Sequence, residues 1–252
     1  MSPLLLKILA GFIILAVTLF CGLAPIRNWW KKTHSHTLGL AEAFAGGIFL
    51  GVALFHMLPE ANEGFTDALG QSGYPYANLI CAIGFMLLLG LENMILRFNR
   101  HRTNPISYLL AVVLSIHALI EGGALGISET LASTVLIFVA IIVHKGSESL
   151  ALAANLVRNS TFPSQAMLVF LVFSAMTPLG ILAGDLLAET SIGIQSPFLE
   201  PIFNSLAAGT FLYIATLHKI HHKHLHENIG NLKEFSAMTV GLIGMAVVAI
   251  WI

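Results

Sequence analysis

The sequence predicts an all-α membrane protein of eight transmembrane helices, with both termini outside and a polar cluster between the fourth and fifth spans. Three observations carry that expectation. Of the 252 residues 56% are hydrophobic and only 10% charged, against roughly 25% charged in an ordinary soluble domain, so too few ionisable groups exist to wet a soluble surface. The apolar residues fall in long continuous runs, not in the alternating ten-residue segments of a membrane β-barrel. At about 20 apolar residues per crossing, the length allows at most eight or nine helices. The composition also excludes disorder, and a net charge of -1 offers no field for nucleic acid.

The spans follow one another as a single transmembrane domain over residues 1–252. Span one, 8–26, follows Lys7 and resembles a signal peptide, but its apolar core is longer than the usual 7 to 15 residues and no A-x-A-like site follows. Span two, 38–58, ends beside Pro59. Span three, 75–97, contains Cys81 and Glu92, the latter read as structural. Spans four to eight occupy 107–127, 131–157, 165–188, 201–220 and 235–252, each bounded by polar residues, Gly or Pro. Cys21 and Cys81 lie far apart inside apolar runs and read as buried thiols, not a disulfide.

Basic residues orient the bundle. Arg27, Lys31 and Lys32 fall in the first loop, Arg97, Arg100 and Arg102 in the third, Arg158 in the fifth, and Lys219, Lys223 and Lys233 in the seventh. The even loops have none. The positive-inside bias makes the odd loops cytoplasmic. The outer loops carry acids instead, among them Glu63, Asp67, Glu129 and Glu189, flanked by Glu60 and Glu200. These either concentrate cations or are ordinary solvated acids.

An ionised side chain at mid-membrane costs about 2.5 to 3.5 kcal/mol on insertion scales and by default faces a bundle interior or a watery path. Span four carries His117 and Glu121, and span five His144, Lys145 and Glu148. Each span thus has a His followed four residues later by a Glu, which places both on one helical face about a turn apart. Two facing pairs supply two nitrogens and two oxygens, a set suited to Zn2+ and open to other borderline divalent ions. The alternative is a structural His–Glu hydrogen-bond network. Lys145 lowers the charge of the pair of glutamates from -2 to -1, arguing against a second metal and for charge compensation when no cation is bound. Its alternative role is to snorkel or pair elsewhere.

Further ligand types lie outside this cluster. His218, His221, His222, His224 and His226 form a cytoplasmic His-rich tract that either collects metal or serves as solvated polarity, and His34 and His36 lie in the first loop. His56 and Glu60, again four apart, close span two on the outer side, as an access path or as helix-end polarity.

These motifs resemble the ZIP family, the Zrt- and Irt-like metal transporters, over nearly the whole chain. The resemblance also rests on Thr177-Pro178-Leu179-Gly180 in span six and Ala207-Ala208-Gly209-Thr210-Phe211-Leu212-Tyr213 in span seven, while His144-Lys145 is similar to the zinc-importing animal branch. It implies a metal site of His117, Glu121, His144 and Glu148, with the second-metal positions of two-metal members falling on Ala118, Lys145 and Thr177. It further implies import by alternating access, with spans one, four, five and six moving against two, three, seven and eight in a homodimer of the cell membrane. Ile120 and Ser147 stand where many members have Pro, and His218 where span seven commonly has Glu.

The expected function is therefore import of a divalent metal ion, zinc first, with the ion and membrane lipid as partners. The competing reading is an intramembrane zinc-dependent hydrolase. A non-transporting sensor would need a signalling domain for which the spans leave no room.

Overall fold

The computed structural model describes residues 3–27, 35–70, 73–98, 105–128, 130–159, 162–189, 197–216 and 232–250. Among the described residues the regular structure is entirely helical. The helices are α1 (Pro3–Arg27), α2 (Ser35–Val52), α3 (Leu58–Leu69), α4 (Tyr76–Phe98), α5 (Pro105–Ile127), α6 (Leu131–Asn159), α7 (Pro163–Glu189), α8 (Leu199–Thr216) and α9 (Leu232–Val248). Helices are the natural solution in lipid, because each satisfies its own backbone hydrogen bonds.

Local chemistry sets several boundaries. Pro105 and Pro163 occupy the first positions of α5 and α7, where a missing N–H costs nothing. Thr130 precedes α6 and its Oγ1 accepts from the Ser133 amide at 3.1 Å, an N-terminal cap. Gly70, with φ of 73°, ends α3 in a backbone region open to glycine.

The second span departs from expectation. Helix does not stop near Pro59 but passes from α2 through a π-turn, Ala53–Met57, into α3. Pro59 cannot donate to the carbonyl four residues back and its ring crowds that carbonyl; the wider π register, with the Leu58 amide bonded to the Ala53 carbonyl, accommodates it.

Among the described residues six helical segments are long and apolar enough to cross a membrane: Leu4–Arg27, Gly39–Leu69, Tyr76–Met94, Leu110–Ile127, Leu131–Val157 and Pro163–Ala188. They overlap the first six expected spans, the second running past its expected end at residue 58 to Leu69. Helices α8 and α9 stand at the seventh and eighth but are shorter in their described parts, 18 and 17 residues. Large apolar side chains face outward along these helices, with Phe20 84% and Phe12 68% exposed, as lipid-facing surface requires.

The chain divides into two compact units. One contains α1, α5, α6 and α7, the other α2, α3, α4, α8 and α9. In the first, Ala10, Ile14, Leu125, Ile141 and Ile181 form a core drawn from all four helices. Its α5 and α7 pack backbone to backbone: the space a Cβ would need at Gly122 holds the Thr177 carbonyl, and at Gly180 the Leu119 carbonyl. In the second unit Ala61, Phe65 and Ala77 form a core, and Phe49 stacks on Phe211 with centroids 5.0 Å apart.

Candidate metal centre

The first unit contains the polar cluster. Helices α5 and α6 run unbroken through it, with Ile120 and Ser147 in place of kinking prolines; the Ser147 hydroxyl donates to the His144 carbonyl at 2.6 Å. Because α5 is fixed against α7 by glycine, and α6 against α1 through Gly146 beside Cys21 and the Ser149 hydroxyl on the Thr18 carbonyl, the His–Glu faces of α5 and α6 are left to meet each other.

One donor atom from each of His117, Glu121, His144 and Glu148 lies within 4.8 Å of the others. The two pairs cross between helices. His144 Nε2 is 2.5 Å from Glu121 Oε1, and His117 Nε2 is 3.2 Å from Glu148 Oε1, with His144 Nε2 also 3.6 Å from that oxygen. His117, His144 and Glu148 are buried, and the Glu121 side chain is 9% exposed. Any two ligands in a tetrahedral zinc shell stand roughly 3.4 Å apart, so a cation would push His144 Nε2 and Glu121 Oε1 apart from 2.5 Å and draw the wider pairs in. The set could hold a metal ion.

Lys145 lies on the other side of the same carboxylates. Its ammonium donates to Glu148 Oε2 at 2.8 Å and to Glu121 Oε2 at 3.0 Å, while residing over the Phe173 ring. At 1% exposure it does not snorkel. Each glutamate therefore turns one oxygen to the lysine and the other to the histidines.

In the second unit, His56 sits in the π-turn with Nε2 3.8 Å from Glu60 Oε2, and Asn204 of α8 donates to that oxygen at 3.2 Å. Glu92 is buried against the Tyr213 phenol. His218, His221, His222, His224 and His226 lie outside the described residues, as does Glu129.

Three participants escaped the sequence reading. Asn204 and Phe173 belong to ordinary-looking helix stretches. Lys7, noted only as preceding span one, proves to be buried and to donate to Asp185 Oδ1 at 2.7 Å and the Gly126 carbonyl at 2.6 Å, tying α1, α7 and α5. An Asp near the end of an apolar run was the available signal for that tie.

The family model described as ZIP zinc transporter matches residues 4–106 and 97–249, nearly the whole chain. The chain belongs to the ZIP family. Among the ZIP relatives it resembles, zinc transporter ZIP2 of Mus musculus is 28% identical, covering 94% of this chain and 95% of its own length. Zinc transporter ZIP1 of Danio rerio is 29% identical over 87% and 90%, and zinc transporter 11 of Arabidopsis thaliana 28% over 97% and 85%. ZIP membership makes the protein a multi-pass integral membrane transporter of metal ions. It leaves the intramembrane hydrolase reading without support.

Proposed function

We propose that the protein imports a divalent metal ion, zinc above all, across the cell membrane through one site formed by His117, Glu121, His144 and Glu148. The convergence of those four donors, in a chain that otherwise keeps charge out of the membrane, is the observation that carries this reading. Two imidazoles and two carboxylates suit zinc and also accept cadmium, iron, manganese or cobalt.

Lys145 takes the place of a second cation. With both glutamates ionised the empty site carries -1, and a bound divalent ion brings it to +1, so the lysine both relieves carboxylate repulsion in the unloaded carrier and opposes overly tight retention of the ion. His56 and Glu60, joined by Asn204, form the outer access path, and the His218 to His226 tract collects the ion on the cytoplasmic side.

Eight spans, with both termini outside, make one domain over residues 1–252. The unit of α1, α5, α6 and α7 contains the same helices as the proposed mobile bundle, which supports alternating access by motion of that unit; the homodimer is carried by the family resemblance.

Radioactive zinc uptake into proteoliposomes tests the reading. Glu148→Ala should abolish uptake while leaving the protein monodisperse in detergent. Undiminished uptake by that variant would remove the site from the transport path.

A further inference from the structure

We propose that Phe173 is the positioning residue for Lys145: its ring face keeps the ammonium on the Oε2 side of Glu121 and Glu148, leaving the Oε1 side to the metal. The inference rests on the four-donor site proposed above.

A lysine ammonium has three N–H donors. Two of them meet Glu148 Oε2 at 2.8 Å and Glu121 Oε2 at 3.0 Å. The Phe173 ring lies on a further side, its centroid 5.2 Å from Nζ, inside the range of about 6 Å over which a cation is drawn to an aromatic face. Lys145 is 1% exposed and Phe173 fully buried, so no water competes and the attraction has its desolvated strength. Two carboxylates and one π-face together account for a fully buried lysine.

Phe173 is itself held in place. Phe170, one turn earlier on α7, lies 6.2 Å from it, centroid to centroid, with the rings tilted by 44°. Phe170 in turn fills the space that a Cβ at Gly22 of α1 would need. Packing therefore runs from Gly22 through Phe170 and Phe173 to the lysine. Without the ring, one face of the ammonium borders apolar side chains, and a swing toward Glu121 Oε1 and Glu148 Oε1 relieves it. That swing places positive charge where the transported cation binds.

The test combines zinc-binding calorimetry on the purified full chain with uptake into proteoliposomes. Phe173→Leu keeps an apolar side chain but removes the π-face, and should raise both Kd and KM for zinc roughly tenfold with kcat retained. Phe173→Tyr, which keeps the ring, should restore wild-type affinity. In a Lys145→Met background Phe173→Leu should have no further effect on affinity. An unchanged Kd for Phe173→Leu, or an equal loss with and without Lys145, overturns the proposal; the second result also covers a variant that merely misfolds. Uptake that survives Glu148→Ala would instead overturn the metal site itself, so the two failures are distinguishable.

Discussion

Glu121 and Glu148 each divide their two oxygens between unlike partners, Lys145 on one side and imidazole on the other. In the proposed carrier a lysine so placed would set the charge of the loaded site at +1 rather than 0, which favours release. Lys145→Met removes that repulsion while keeping much of the stem's volume. It should lower the zinc Kd and slow turnover by about tenfold or more, since even 1.4 kcal/mol of lost repulsion has that effect; zinc uptake kinetics identical to wild type would exclude the lysine from the cycle. The four donors and the lysine were legible in the sequence because membrane charge is scarce and helical spacing puts each His over its Glu. The crossing of the pairs was not legible, since which imidazole meets which carboxylate depends on how α5 and α6 are rotated. Asp185 and Asn204 were missed for a related reason: their partners, Lys7 and Glu60, are 178 and 144 residues away.

Helix packing sets that rotation, and small residues set the packing. In the α5–α7 pair, the positions four residues on from Gly122 and Gly180 repeat the pattern, Gly126 meeting the Ile181 carbonyl and Gly184 the Gly123 carbonyl. Between lipid-facing helices, where no hydrophobic force distinguishes protein from solvent, such close approach supplies the association. Gly180→Leu should therefore separate α5 from α7, displace His117 and Glu121, and reduce both the yield of monodisperse protein and its uptake. Gly90 of α4 has open space around its Cβ position, and Gly90→Ala should leave uptake unchanged and raise stability by up to about 1 kcal/mol. Equal thermal melting of the two variants in detergent would contradict this account. Helix positions were largely readable from apolar runs, whereas the packing glycines were not, because glycine is common in membrane helices and its partners cannot be named from spacing. The π-turn at Ala53–Met57 was hidden because Pro59 reads as a stop, and only neighbouring structure decides whether a helix ends or widens.

At the scale of the whole chain, charge placement and helix length bear independently on the number of crossings. The basic residues of the loops fall in odd loops when eight spans are counted, whereas among the described residues six segments reach membrane-spanning length. The difference lies in α8 and α9, whose described parts are short and whose intervening segment, 217–231, carries the His-rich tract and two of the lysines. Under the proposed orientation, with the odd loops cytoplasmic, the segment after α3 is outside and the end of α6 in the cytoplasm. In a chain with Cys21 and Cys81 replaced by Ala, a cysteine at Asp67, which is exposed near the end of α3, should react with a membrane-impermeant maleimide on intact cells. A cysteine at Asn159, the last residue of α6, should react only after permeabilisation. The reverse pattern would invert the topology, and with it the sidedness of His56 and Glu60. Both positions reacting from one side would break the odd-and-even partition and require a different number of crossings between α3 and the end of α6.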